Sequence, residues 1–183
     1  MKRALLVIDV QSKYFSGKLP VSYPLGSLEK IVKAMEGAAA TQTSVVVIRH
    51  TAKAADSPVF QRETMEWELH PEIEKRHRDV LIEKSWPDSF TETPLEQWLK
   101  ENGIDTLTVC GYMTHMCCDT TARRAYHLGY HVEFLSDATG TMALSTESAK
   151  VSDEELHRAI LAIQNRFSRV MTTDQWIDSL LQG

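Results

Sequence analysis

The chain has 183 residues, of which 43% are hydrophobic and 25% charged, a globular composition long enough for a sizeable core. A formal net charge of −5 argues against general nucleic-acid binding, and no stretch approaches the ~20 apolar residues of a membrane span. Three cysteines, two of them adjacent, do not make a disulfide framework and point to a reducing cytoplasm.

The N-terminus is basic and then apolar, but the apolar run is too short for a signal peptide and ends in Asp9. Ala4–Asp9 is predicted as a strand and Leu25–Thr41 as a helix, with Leu28, Ile31, Val32 and Met35 at helical spacing. Ser44–His50 is a β-branched strand. Asp56–His77 is irregular, charged and rich in large side chains. Asp79–Lys84 is a third strand, and Pro94–Asn102 a helix stopped at Gly103. Thr106–Cys110 is a fourth strand, Thr114–Leu128 a helix stopped by Gly129, and Tyr130–Ser136 a fifth strand. Ser152 with Glu155 forms a capping-box pattern opening Asp153–Phe167. Arg169–Thr172 is a last short strand and Thr173–Leu181 a closing helix.

Apolar strands alternating with helices indicate one α/β domain, residues 1–183, with a parallel sheet covered on both faces. Ligands of such sheets bind beyond the carboxyl ends of the strands. That rule gathers Asp9, Lys84 and the segment from Gly111 to Cys117 at one edge. Free N–H groups at the helix start are expected to lower a thiol pKa and to receive an oxyanion. Cys110, inside a strand, reads as packing. Cys117 and Cys118 lie about 100° apart around a helix, so only one can face a given site. Taken singly, each group also has an ordinary reading as cap, solvated lysine or buried thiol. Together their roles are complementary: carboxylate base, ammonium, nucleophile and oxyanion donors.

At these residues the chain resembles the isochorismatase-like cysteine hydrolases. The matching segments are Leu5–Gln11, Trp67–Ile73, Ile82–Lys84 with Asp88–Phe90, Thr93–Leu95, Gly111–Cys118, Thr120–Arg123 and Ser136–Ala138, covering nearly the whole chain. The resemblance implies a three-layer α/β/α Rossmann-like fold with a six-stranded, mostly parallel sheet. It also implies a Cys–Asp–Lys triad of Cys117, Asp9 and Lys84, with a cis peptide between Tyr112 and Met113. The oxyanion hole would be the N–H groups of Met113 and Cys117.

The implied reaction is hydrolysis of a C–N bond (amide, carbamoyl or ureido) in a small molecule, through a thioester. Nicotinamidases in the family add a metal bound by an Asp-x-His pair after the second strand. Here that segment is Arg49-His50-Thr51-Ala52-Lys53, so neither a metal nor another cofactor is expected. A vinyl ether hydrolase of the isochorismatase type and a redox-active thiol protein are the alternatives. Gln11, Phe15, Trp86 and Tyr112 adjoin the triad in sequence and are candidate substrate-binding residues, with core or interface packing as their other reading. His115 either lines the mouth or is solvated. Phe60, Trp67 and Leu69 are too apolar for a solvated loop, so Asp56–His77 is expected to be covered as a lid or subunit contact. A homo-oligomer, dimer or tetramer, is the expected assembly.

Overall fold

A computed structural model describes residues 1–16 and 19–182. Its strands are β1 (Arg3–Ile8), β2 (Ser44–His50), β3 (Val80–Lys84), β4 (Thr106–Tyr112), β5 (His131–Gly140), β6 (Leu144–Ser145), β7 (Lys150–Val151) and β8 (Arg169–Met171). Its helices are α1 (Ser27–Ala40), α2 (Pro71–Glu74), α3 (Leu95–Glu101), α4 (Asp119–His127), α5 (Asp153–Gln164) and α6 (Thr173–Leu181). Six strands form a parallel sheet in the order β3-β2-β1-β4-β5-β8, and β6 and β7 make a separate antiparallel pair.

β1 lies between β2 and β4 and is buried from Ala4 to Ile8, which is why it carries no polar residue there. Its side chains alternate between two apolar layers. Leu5 and Val7 join Ile31, Met35 and Trp176 on the α1 and α6 side. Ala4, Leu6 and Ile8 join Leu95, Leu99 and Ala122 on the α3 and α4 side. Burying each such Leu or Ile contributes about 1.5–3 kcal/mol. The result is the three-layer α/β/α arrangement expected from the sequence.

The departures have local causes. The helix expected over Thr114–Leu128 is two pieces: a π-helical turn over Thr114–Cys118, then α4. The turn is wide because Cys118 N–H reaches back to the Met113 carbonyl at 3.2 Å. β5 runs past Ser136 to Gly140, with a register shift against β4 between Val109 and Gly111. The polar residues that masked this extension serve as anchors: Asp137 Oδ1 accepts from Thr173 N at 2.7 Å and so fixes the start of α6. The Ser152–Glu155 capping box is present at α5, and a second one, Thr172 with Gln175, opens α6. α2, with Pro71 at its first position and His70 Nδ1 capping Glu72 N at 3.2 Å, lies inside the stretch read as irregular.

The large apolar residues Phe60, Trp67 and Leu69 of that stretch are buried within their own chain. Trp67 Nε1 donates to Thr51 Oγ1 at 2.8 Å, and the Arg49 guanidinium lies 3.6 Å from the centre of its ring. Phe60 packs against Tyr14 and His50 at ring distances of 5.6 and 5.1 Å. Phe60, Trp67 and Leu69 are thus covered, as expected, and the cover comes from within the chain.

Candidate active site

β3, β2, β1 and β4 end side by side, with Lys84 the last residue of β3, Asp9 just beyond β1, and Cys117 in the turn that follows β4. Asp9 has φ +51°, a left-handed conformation that Asp tolerates better than most residues. Its N–H donates to the Ile48 carbonyl at 3.0 Å and its carbonyl accepts from Gln11 N at 2.8 Å, so the backbone fixes the carboxylate. Gly111 is required beside it. It has φ +113°, and a Cβ there would stand 2.1 Å from the Ile8 carbonyl oxygen. Only glycine lets β4 approach β1 this closely at the residue preceding Asp9.

The three side chains meet in a nearly closed site, with Asp9 fully buried and Cys117 8% exposed. Lys84 Nζ lies 2.7 Å from Asp9 Oδ2 and 3.3 Å from Cys117 Sγ. It also donates to the Trp86 carbonyl at 3.0 Å and contacts His50 Nδ1 at 3.2 Å. The Asp9 contact is a close ion pair outside hydrogen-bond geometry: among the described residues neither Asp9 oxygen receives a hydrogen bond. Burial disfavours the Lys84 ammonium, but the negative charge of Asp9, joined by that of Cys117 when it ionises, outweighs it and raises its pKa.

The thiol expectation needs correction. Burial pushes the Cys117 pKa up to about 12, the Asp9 charge adds to this, and Lys84 opposes it without prevailing. A five-residue π turn does not overcome that desolvation. The resting site is thus a thiol beside a lysine ammonium. Cys118 and Cys110 are fully buried, and burial raises both thiols further. All three cysteines are free. The peptide between Tyr112 and Met113 is cis, and Met113 N–H has no backbone or side-chain acceptor among the described residues.

Two of the candidate wall residues serve the scaffold instead. Gln11 is fully buried: its Nε2 donates to the carbonyls of His50 (3.0 Å) and Trp67 (2.7 Å), and its Oε1 accepts from His50 N (2.9 Å). Its amide is fully engaged by backbone partners. Tyr112 is also fully buried, in the α1-side layer, with its hydroxyl 3.1 Å from Ser27 Oγ. Phe15 is half-exposed, 4.4 Å from the His70 ring, and faces a 220 Å³ cleft shared with Pro24, Leu28 and the Tyr112 edge. Trp86 is half-exposed with Lys53 Nζ 4.6 Å from its ring centre, and it touches the triad through its carbonyl. His115 is held by Thr141, Nδ1 to Oγ1 at 2.6 Å. A 310 Å³ cavity lined by Thr106, His131 and Arg169 lies at the opposite, amino ends of the strands. It shares no residue with this site.

Sequence reasoning missed the contact of His50 with Lys84. The signal was available, since His50 ends the strand that neighbours both β1 and β3. Among the described residues no group of three His, Cys, Asp or Glu is placed to hold a metal. No helix there is long and apolar enough to cross a membrane.

The Isochorismatase domain model matches residues 3–175. An uncharacterized isochorismatase family protein of Bacillus subtilis, YddQ, is 33% identical over 97% of this chain and 99% of its own length. Nicotinamidase 3 of Arabidopsis thaliana is 30% identical over 86% of this chain and 78% of its own length. A crystal structure of a candidate isochorismatase from Burkholderia xenovorans LB400 superposes with a TM-score of 0.95. It is 45% identical and covers 98% of this chain and 88% of that one.

Proposed function

The chain belongs to the isochorismatase family and is a hydrolase, and on that premise we propose that it cleaves the C–N bond of a small amide, carbamoyl or ureido compound with Cys117 as nucleophile. The observation that carries this reading is the buried contact of one lysine ammonium with both a carboxylate and a thiol, at 2.7 and 3.3 Å.

The chemistry follows from the resting protonation. Asp9, whose lone pairs hold no hydrogen bond, takes the thiol proton. The sulfur then carries the charge beside the Lys84 ammonium and attacks the carbonyl carbon. The oxyanion is received by the N–H groups of Met113 and Cys117. Collapse expels the nitrogen, which leaves as ammonia or amine with the proton from Asp9. Water, deprotonated by Asp9, adds to the thioester and releases the acid, returning the proton to the thiol. One water is consumed and one C–N bond broken.

The thiol favours this reaction over vinyl ether hydrolysis, and the absence of a second accessible thiol among the described residues gives no support to a disulfide-forming redox cycle. The test is a panel of small amides, ureas and lactams assayed for ammonia or amine release. Wild-type enzyme is expected to release nitrogen from at least one class and Cys117→Ala from none. Equal release by both proteins would overturn the assignment.

A further inference from the structure

The Lys84 ammonium has three hydrogens and sits among four acceptors: Asp9 Oδ2, the Trp86 carbonyl, His50 Nδ1 and Cys117 Sγ, at 2.7, 3.0, 3.2 and 3.3 Å. Three of these contacts have hydrogen-bond geometry and the fourth does not. The structure leaves out Asp9, the nearest of the four, whose oxygens receive no hydrogen bond among the described residues. A charged lysine cannot accept, so His50 must present a bare Nδ1 and carry its proton on Nε2. His50 is fixed in place to do so. The Gln11 amide clamps both its N–H and its carbonyl, and its ring packs on Phe60 at 5.1 Å. We propose that His50 is a positioning residue which takes one hydrogen of Lys84 and so leaves the Asp9 carboxylate free to accept the proton of Cys117. The inference rests on the triad reading above.

The groups acting on this contact are few. Asp9 and Lys84 are the charged groups that act on His50, and burial lowers its pKa, which favours the neutral ring. Cys117 feels Asp9 and Lys84, with Cys118 and Tyr14 also close to it. If His50 can no longer accept, the freed hydrogen turns to Asp9 Oδ2 or to Cys117 Sγ. Either move makes negative charge on the sulfur easier to hold. Removing His50 as an acceptor therefore makes the thiol more readily ionised; because a loosened site that admits water would shift the titration the same way, the control is a variant that loses the ring but keeps an acceptor.

The test measures alkylation of Cys117 by iodoacetamide against pH, resolved by peptide mass, and needs no substrate. In His50→Leu the profile is expected to move about one unit to lower pH, which is roughly tenfold faster alkylation on the rising limb. His50→Asn, whose Oδ1 replaces Nδ1 as acceptor, is expected to keep the wild-type profile. An unmoved or upward-moved profile in His50→Leu, or an equal shift in both variants, overturns the proposal. Should His50→Leu not fold, ¹⁵N-histidine NMR of the wild-type enzyme decides: a bare Nδ1 supports it and a protonated Nδ1 overturns it. Lys84→Met separates the two levels. If that variant leaves the profile where it is, the triad reading itself has failed.

Discussion

Lys84 Nζ lies 3.3 Å from Cys117 Sγ in a site where the lysine is almost wholly buried, yet the thiol stays protonated at rest. Under the proposed reaction the lysine is a partner for charge that appears during turnover: its buried ammonium would stabilise the thiolate once Asp9 had taken the proton, and so lower the barrier.

Lys84→Met is expected to lower turnover by about 10²–10³, in the range of a lost charge-stabilising donor. It also strands the Asp9 carboxylate without its partner, and breaking a buried ion pair costs about 3–5 kcal/mol. Denaturant unfolding of the variant beside steady-state kinetics reads both effects. A fully active, fully stable variant is incompatible with the geometry.

Cys117→Ala is expected to abolish turnover and Cys118→Ala to retain most of it. Cys118 is fully buried against the α4-side layer, so its truncation is a packing change of about 1 kcal/mol. Kinetics of the two variants on one substrate distinguish the residues. The reverse pattern would move the nucleophile to Cys118.

Gly111→Ala places a methyl group 2.1 Å from the Ile8 carbonyl oxygen, at a φ of +113°. Strain of this kind costs about 1–3 kcal/mol where it is absorbed, and here the residue next to the contact is Asp9. A lower unfolding midpoint together with loss of activity is expected. A variant with unchanged turnover would show that β1 and β4 can separate without moving the carboxylate.

Gln11→Leu removes three hydrogen bonds to backbone groups of His50 and Trp67. Leaving such groups buried and unpaired costs about 1–3 kcal/mol each before relaxation. The segment around Trp67 is expected to become protease-sensitive at denaturant concentrations that spare the sheet. Unchanged proteolysis would mean that the Arg49 and Thr51 contacts of Trp67 suffice to hold it.

Alkaline pH is expected to destabilise the fold. Burial raises the pKa of Cys117 to about 12 from an ordinary value near 9, and it raises Cys110 and Cys118 as well. Above pH ~9 the unfolded chain gives up these protons while the folded chain keeps them, so stability falls as pH rises from about 9 toward 12. Melting temperatures between pH 8 and 10 should decline less steeply in Cys118→Ala than in wild type. Parallel curves would assign the decline to other groups.

What the sequence revealed and concealed follows physical lines. Leu5–Ile8 and Val45–Ile48 read as buried strands because burial on both faces requires continuous apolar runs. The clustering of Asp9, Lys84 and Gly111 at one edge was legible because each lies at the carboxyl end of a strand of one parallel sheet. The width of the Thr114–Cys118 turn was hidden, since no side chain in it announces an i to i−5 hydrogen bond. The continuation of β5 was hidden by Ser136 and Asp137, whose polar side chains serve neighbouring backbone. Proximity in sequence did not reveal that backbone of His50 and Trp67 takes up the Gln11 amide, or that the Tyr112 ring turns into the α1-side layer toward Ser27. The thiol pKa was misjudged at Cys117 because a local rule about helix starts carries no information on burial.

The most direct test is intact-mass and peptide-mass analysis of enzyme quenched during turnover of the best-cleaved amide from the panel. An adduct equal to the acyl portion, bonded to the sulfur of Cys117 and lost on further incubation, is the expected result. Turnover that proceeds with no adduct on Cys117 and survives Cys117→Ala would contradict the account.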